Sequence, residues 1–328
     1  MSRRPIAITP PVFVLLGLAG CGLTDGATVR PVSDFGRQTQ AIYETVFWWT
    51  LGIFVVVELL LLFALWRYRR RSDDPEVPEQ VHGHTWLEIG WTLAPAVILL
   101  VIAIPTMRTI FRQQAPPPSD ALQVTVVGHQ WWWEFVYPDL GFTTANELHV
   151  PRGRTVNLTL TSGDVIHAFW VPRLGGKRDL VQGSENTIVF TADSAGVYDG
   201  QCAEFCGTSH ANMRMKVFVD EPSEFEAWAN LQSRPALPDS AGYQTFLASG
   251  CAACHAIDGT PAQGRAGPNL THFGSRTTFA SGLLPNEREH LAGWLRNPDS
   301  VKPGALMPDL NLNEERLASL LRLLEGLR

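Results

Sequence analysis

The chain has 328 residues, 45% of them hydrophobic, and a formal charge of −6. That length accommodates two or three packed units, and the acidic balance gives no nucleic-acid signal, with no basic run that fits one. The five cysteines form three separated groups, Cys21, Cys202 with Cys206, and Cys251 with Cys254, so no disulfide framework is needed to explain them.

Residues 1–20 read as a secretory signal, with Arg3 and Arg4 ahead of the short apolar run Val12 to Leu18. Leu18-Ala19-Gly20-Cys21 resembles a bacterial lipoprotein cleavage box, which would make Cys21 a lipidated first residue. Ordinary cleavage nearby, or an uncleaved anchor, are the alternatives. Residues 21–42 then form an external segment, and residues 43–115 a membrane hairpin.

The hairpin rests on two apolar runs. Val46 to Trp66 spans 21 residues, enough to cross a hydrocarbon core of about 30 Å at ~1.5 Å per residue. Arg67, Arg69, Arg70 and Arg71 follow it, which places that end in the cytoplasm. The second run, about Leu87 to Ile110, returns outward and contains Pro95 and Pro105, which membrane helices tolerate. Trp48, Trp49, Trp66, Trp86 and Trp91 sit near the run ends, as interfacial aromatics do. Glu58 and Glu88 are carboxylates in or at these spans, and such residues are functional candidates.

Ala115 to Asp120 is a proline-rich, stiff linker. Short β-branched and alternating runs follow at 122–127, 131–136, 147–150, 155–161, 186–190 and 214–219, separated by Gly, Pro and Asn turns. This pattern predicts a β-sandwich over residues 116–220. On a strand, Trp131 and Trp133 would share one face and Trp132 the other.

Within that unit, Cys202, Cys206, His210 and Met213 fall inside twelve residues, and His167 lies upstream. Thiolate and thioether are soft ligands, and imidazole suits copper as well as zinc. A mononuclear blue-copper site needs one Cys, two His and an axial Met. The extra thiolate here points to two coppers bridged by both sulfurs, with one His on each. Met213 and a backbone carbonyl, that of Glu204, would be the weak axial ligands. A disulfide, a structural zinc site and a copper-delivery site are the competing readings. Met is a poor zinc ligand, and the spacing is not that of a finger.

Residues 221–239 read as a short helix and a linker. Cys251-Ala252-Ala253-Cys254-His255 is a c-type haem attachment motif, with His255 as the proximal iron ligand. The sixth ligand should be Met or His. Met307, 52 residues after His255, is the candidate, and His272 and His290 are its rivals. Ser240–Ala248 would be the first helix of this unit and Asn313–Leu327 the last.

The copper-type loop resembles the copper A motif of cytochrome oxidase subunit II, C-x-E-x-C-x3-H-x2-M, without a departure. Gly128-His129-Gln130-Trp131-Trp132-Trp133 matches that family's aromatic stretch, and His167 to Pro172 and Lys177-Arg178-Asp179 match it as well. The resemblance covers roughly residues 35–220 and implies a cupredoxin-like fold. It implies that Trp131 is where electrons reach the copper, and that the Glu204 carboxylate holds a magnesium ion shared with subunit I. It aligns Glu88 with a carboxylate at the cytoplasmic mouth of a proton path; a solvated helix-end residue is the alternative. Residues 240–328 resemble a small class I cytochrome c through Gly267-Pro268-Asn269-Leu270 and the Gly304 to Pro308 segment.

The expected molecule is multidomain, with a two-helix transmembrane hairpin, a cupredoxin-like β-sandwich and an all-α class I cytochrome c domain. It would be subunit II of a haem–copper oxidase in a bacterial inner membrane, with its redox domains outside. Its cofactors would be binuclear copper, haem c and magnesium. Its partners would be oxidase subunit I and subunit III, membrane lipid, and an external donor such as a soluble cytochrome c or another periplasmic redox protein. A nitric oxide reductase with a copper A subunit and a copper carrier without turnover are the alternatives.

Overall fold

The structure is a computed structural model that describes residues 27–69, 80, 82–236 and 238–328. Residues 1–20, read above as a signal, and Cys21, Arg70 and Arg71 lie outside the described residues.

Helices α1 (Asp34–Arg67) and α2 (Thr85–Gln113) are each long and apolar enough to cross a membrane. Their apolar windows are not buried against the rest of the chain, a surface suited to lipid rather than water. α2 runs unbroken through Pro95 and Pro105. α1 starts twelve residues before the expected span, at Asp34 rather than Val46, because polar groups at its outer end are satisfied by the domain beyond. Ser33 caps the helix by accepting from the Gly36 amide at 2.9 Å, and its hydroxyl donates to the Leu174 carbonyl. Asp34 accepts from the Thr191 amide at 2.7 Å, and Phe35 is buried beneath Gly175. Arg37 pairs with Asp193 across the same joint. That pair is half-exposed and contributes at most ~1 kcal/mol, whereas burial of Phe35 contributes roughly 1.5–3 kcal/mol. Packing and capping therefore hold the helix to the domain.

Ten strands form the sandwich. One sheet has the order β3-β2-β1-β5-β8, with β1 (Leu122–His129), β2 (Trp132–Tyr137), β3 (Phe142–Ala145), β5 (Thr155–Ser162) and β8 (Asn186–Thr191). The other has the order β4-β10-β9-β6-β7, with β4 (Glu147–Pro151), β6 (His167–Trp170), β7 (Arg178–Leu180), β9 (Gly196–Cys202) and β10 (Arg214–Asp220). β1 alternates buried and half-buried residues along its whole length, the period-two signature of a strand with one face on the core. Val126, Trp133, Phe135, Leu158 and Leu160 of the first sheet meet Leu148, Phe169, Leu180 and Val217 of the second in one apolar core. β3, β6, β7 and β9 were not expected from the sequence. All four are short or rich in polar residues and glycine, and sheet pairing defines them.

The placement of Trp131 is a correction. β1 and β2 pair antiparallel with His129 opposite Trp132, so Gln130 and Trp131 are the two-residue tip of a hairpin. Trp131 is not on the strand, and all three tryptophans are buried. The tip is covered by the C-terminal unit, as described below.

α3 (Pro222–Gln232) follows the sandwich. Its Trp228 stacks on His149 at 4.1 Å, which fastens the short helix to the sandwich. The C-terminal unit comprises α4 (Ser240–Ala248), α5 (Arg288–Arg296), α6 (Pro298–Val301) and α7 (Glu314–Gly326), with a small ribbon of β11 (Thr278–Phe279) and β12 (Leu284–Pro285). That ribbon is an addition to the all-α expectation. Asp239 and Asn313 cap α4 and α7 through their side chains. The two helices cross at Gly242, where a β-carbon would come within 2.8 Å of Leu323 Cβ. Phe246, Ile257, Leu291, Leu295, Leu317, Leu320 and Leu324 form the core.

Candidate metal centre and haem site

Sheet order brings the copper-type ligands together. β9 ends at Cys202 and β10 begins after Met213, so residues 203–213 form the loop between two antiparallel neighbours. β6 lies on the other side of β9, with Phe169 opposite Cys202, which puts His167 at the same sheet end. The Cys202 amide donates to the Met213 carbonyl at 2.9 Å, and the Ala203 amide to the Ala168 carbonyl at 3.0 Å. These bonds close the loop upon itself.

The result is a compact donor set. The two sulfurs, both free thiols, are 3.8 Å apart. His167 Nδ1 lies 3.9 Å from Cys202 Sγ, and His210 Nδ1 lies 3.5 Å from Cys206 Sγ. Met213 Sδ is 3.9 Å from Cys206 Sγ, and the Glu204 carbonyl is 3.2 Å from Cys202 Sγ. His167, Cys202, Cys206 and Met213 are buried, while His210 is half-buried.

The electrostatics favour a cation between the sulfurs. The sulfur–sulfur contact with Cys206 pulls the Cys202 thiol well down, against its burial. The same contact, with burial, pushes Cys206 up. One negative charge is thus held between the sulfurs, and a second one requires a counter-cation; metal binding to thiols releases such protons. Burial lowers His167, but Cys202 and Asp164 outweigh it and leave the imidazole raised. Soft donors, two imidazoles and an acidic thiol pair suit binuclear copper.

Residues not singled out in the sequence complete the surroundings. Asp164 accepts from His167 Nε2 at 2.8 Å and from the Gln130 amide at 2.6 Å. It therefore turns Nδ1 of the ring toward the sulfurs, the usual role of a carboxylate behind a metal-binding histidine. The Cys206 carbonyl accepts from Gln130 Nε2 at 2.7 Å and from the Trp131 indole at 3.0 Å. Gly207 lies against both side chains at a φ of +115°, and a β-carbon there would approach each to about 3 Å, so only glycine serves. The one sequence signal for Asp164 was its position three residues before His167.

At the haem motif, Cys251 and Cys254 are free and half-buried, flanking a single 3-10 turn. His255 Nδ1 donates to the Pro268 carbonyl at 2.7 Å, which leaves Nε2 as the free nitrogen. Burial pushes this imidazole down, so it stays neutral, as an iron ligand must be. Gly267 crosses the ring where a β-carbon would come within 2.6 Å of Cε1. These features fit a proximal haem ligand. Met307 is half-buried against the C-terminal core. His272, the first rival, is buried, with Nε2 bonded to the Arg234 carbonyl at 2.9 Å. His290 is partly exposed, 3.6 Å from Glu287. Glu88 is exposed in the first turn of α2 and belongs to neither cluster.

The C-terminal unit sits on the sandwich at two places. The Glu147 carboxylate, only 4% exposed, accepts from the amides of Thr277 and Thr278 at 3.0 and 2.8 Å, and from both hydroxyls. Nearer the copper-type loop, Ser209 donates to the Pro303 carbonyl at 2.6 Å. There the Trp131 carbonyl accepts from the Ser281 hydroxyl and from the Lys302 amino group.

Three family models match the chain. They are the transmembrane domain of cytochrome c oxidase subunit II over residues 22–109, the periplasmic domain of that subunit over residues 141–219, and cytochrome c over residues 240–328. Cytochrome c oxidase subunit 2 of Alkalihalophilus pseudofirmus is 38% identical, covering 97% of this chain and 96% of the relative. Its counterpart in Bacillus sp. strain PS3 is 35% identical, covering 96% and 95%. The crystal structure of the periplasmic domain of subunit II of cytochrome oxidase of Bradyrhizobium japonicum is 33% identical, covering 36% of this chain and 96% of that one, with a TM-score of 0.35. The periplasmic domain implies copper A and the cytochrome c domain haem c. On this full-length similarity the chain, a membrane protein with two apolar spans and a cupredoxin-like sandwich, belongs to the cytochrome c oxidase subunit II family.

Proposed function

We propose that this chain is the electron-receiving subunit of a haem–copper terminal oxidase. Electrons from an external donor pass from haem c to the binuclear copper and on to the haems of subunit I, where dioxygen is reduced with proton pumping. The observation that carries this reading is the position of Trp131. Its indole donates to the carbonyl of Cys206, a residue that would hold the copper pair, while its own carbonyl is bonded by the cytochrome unit. One residue therefore touches both redox domains.

His167, Cys202, Cys206, His210, Met213 and the Glu204 carbonyl would hold the copper pair, which supplies one-electron storage with little rearrangement because the charge spreads over two metals. Cys251, Cys254, His255 and Met307 would hold haem c. Asp164 keeps the His167 ring oriented, and Gln130 with Trp131 fixes the Cys206 carbonyl by two hydrogen bonds. Burial of His167, Cys202, Cys206 and Met213 keeps water from these ligands. Val165, Ile166 and Phe205 are exposed apolar residues close in sequence to the ligands, which supports a partner surface for subunit I. The exposed Glu204 carboxylate is the candidate magnesium ligand at that surface, and Glu88 the candidate mouth of a proton path. Subunit III and a soluble cytochrome c donor follow from the same reading.

Trp131→Ala should slow electron arrival at copper far more than it changes copper content. Flash reduction of copper from haem c at the wild-type rate in that variant would reduce Trp131 to packing. Both termini are read as external. Labelling of a cysteine placed at Ser72 by an impermeant reagent in intact cells would overturn that orientation.

A further inference from the structure

The contact between Trp131 and the cytochrome unit is built from residues that belong to neither ligand set. Lys302 Nζ donates to the Trp131 carbonyl and, at 2.7 Å, to Ser281 Oγ; the Ser281 hydroxyl donates to the same carbonyl at 2.5 Å. The three groups close a triangle. Lys302 is 4% exposed and Ser281 is 1% exposed, and none of the ion pairs among the described residues includes Lys302.

Two features of this triangle are unfavourable on their own. A buried amine without a carboxylate partner is costly to desolvate. Ala280, Ser281 and Gly282 follow one another in the left-handed region, at φ of 51°, 65° and 71°, which residues with a β-carbon disfavour. Such costs persist where the surroundings enforce them, and an observed outlier of this kind points to a function. The segment also carries more than the clamp. Gly304, at φ +84°, lies directly on the indole, where a β-carbon would approach Trp131 Cη2 to 3.1 Å. Lys302, Gly304 and Met307 thus fall within six residues, so the clamp, the indole contact and the candidate iron ligand share one short stretch of backbone.

We propose that Lys302 and Ser281 are positioning residues that clamp the cytochrome domain onto the Trp131 carbonyl and fix the haem-bearing loop against the indole. The proposal rests on the reading of Trp131 as the electron gateway. Tunnelling falls steeply with separation, so one docked geometry transfers faster than an average over many. The clamp also covers Trp131, and an external donor meets the cytochrome domain first.

The test uses the assembled oxidase carrying Lys302→Met or Ser281→Ala. Lys302→Met keeps the aliphatic stem and removes the donor. Ser281→Ala suits the backbone, because Ala280 already occupies a similar conformation. Hydrogen exchange of residues 278–285 and 207–213 reports docking, and flash-induced equilibration of haem c with copper reports transfer. In Lys302→Met, exchange at both segments should rise, and transfer slow, by about tenfold, the equivalent of one hydrogen bond at ~1.4 kcal/mol. Ser281→Ala should act in the same direction by a few-fold, and the double variant should fall short of the product of the two, because the bonds share an acceptor. Copper content, haem spectrum and exchange of strands β1 and β5 should stay at wild-type levels. Wild-type exchange and transfer in either variant overturns the clamp, and if Lys302→Met does not assemble, Ser281→Ala alone decides. Absence of haem-to-copper transfer in the wild type would instead overturn the gateway reading, while the exchange data still judged the clamp.

Discussion

Two cysteine pairs in this chain have nearly the same spacing and opposite surroundings. Cys202 and Cys206 are buried in the end of a β-sandwich, whereas Cys251 and Cys254 are half-buried on a single helical turn. The first pair shares a negative charge and is enclosed by two imidazoles, a thioether and a carbonyl. The second pair has no such enclosure; burial pushes Cys251 up to about 11, which keeps it a thiol. Enclosure suits reversible metal ligation, because geometry is held by partners on several strands. Accessibility suits covalent addition to a cofactor, where the bond itself supplies the geometry. Spacing alone did not separate these outcomes; the fold around each pair did.

The difference can be broken most severely at the enclosed pair. Cys202→Ser or Cys206→Ser should abolish the binuclear site, since a hydroxyl cannot bridge soft metals. Metal analysis should find the copper content halved or lost, with covalent haem on a denaturing gel unchanged. Cys251→Ser should do the reverse. A wild-type chain with stoichiometric zinc, or one copper, contradicts the assignment.

Met307→His changes the open site without emptying it. The potential of haem c should fall by roughly tens to a few hundred mV, within the range that axial ligands control. The sulfur-to-iron band in the far red should disappear while the copper spectrum stays. Survival of that band shifts attention to His272 or His290, although the His272 bond to the Arg234 carbonyl makes it the weaker rival.

A subtler change tests whether enclosure works through orientation. Asp164→Asn keeps the shape but weakens the hold on His167 Nε2 and the Gln130 amide. Copper affinity, measured by competition with a chelator, should fall about 10- to 100-fold, as for other carboxylates behind metal-binding histidines. Unchanged affinity would make Asp164 a turn residue only.

The smallest effect concerns the joint between the two domains. Burial lowers the Lys302 amino group from its ordinary 10.5 to about 7, with partial opposition from charge at Cys206. Between those values the undocked form carries the extra proton. Docking should therefore strengthen as pH rises from about 7 toward 10, by up to about tenfold per unit, and stay flat below about 7, where both forms are protonated. Protection factors at residues 278–285 measure this, and Lys302→Met should remove the slope.

How much of this was legible in the sequence depends on how far apart the partners lie. The ligand loop was readable because Cys202, Cys206, His210 and Met213 sit on one stretch, and the haem motif because it is contiguous. The two apolar spans were readable from their length, and the last helix of the cytochrome unit from the helical spacing of its leucines. Trp131 was placed on a strand because an aromatic run looks like one; the hairpin register that moved it to the tip exists only once β1 and β2 pair. β9 was invisible because its Gly196, Asp199 and Gly200 have no strand preference of their own, and β10 beside it supplies the order. Glu147, Ser281 and Lys302 carry no local signal. A glutamate, a serine and a lysine read as surface residues until the second domain covers them.

The clamp on Trp131 grips a peptide carbonyl, and every amino acid brings the same carbonyl. Adhesion between the domains is thereby separated from the identity of the ring that conducts between them. An unnatural aromatic installed at position 131, with a higher or lower oxidation potential than indole, would inherit the docking geometry from the backbone. The junction is in that sense a socket, in which the conducting element can be exchanged while the fitting stays in place.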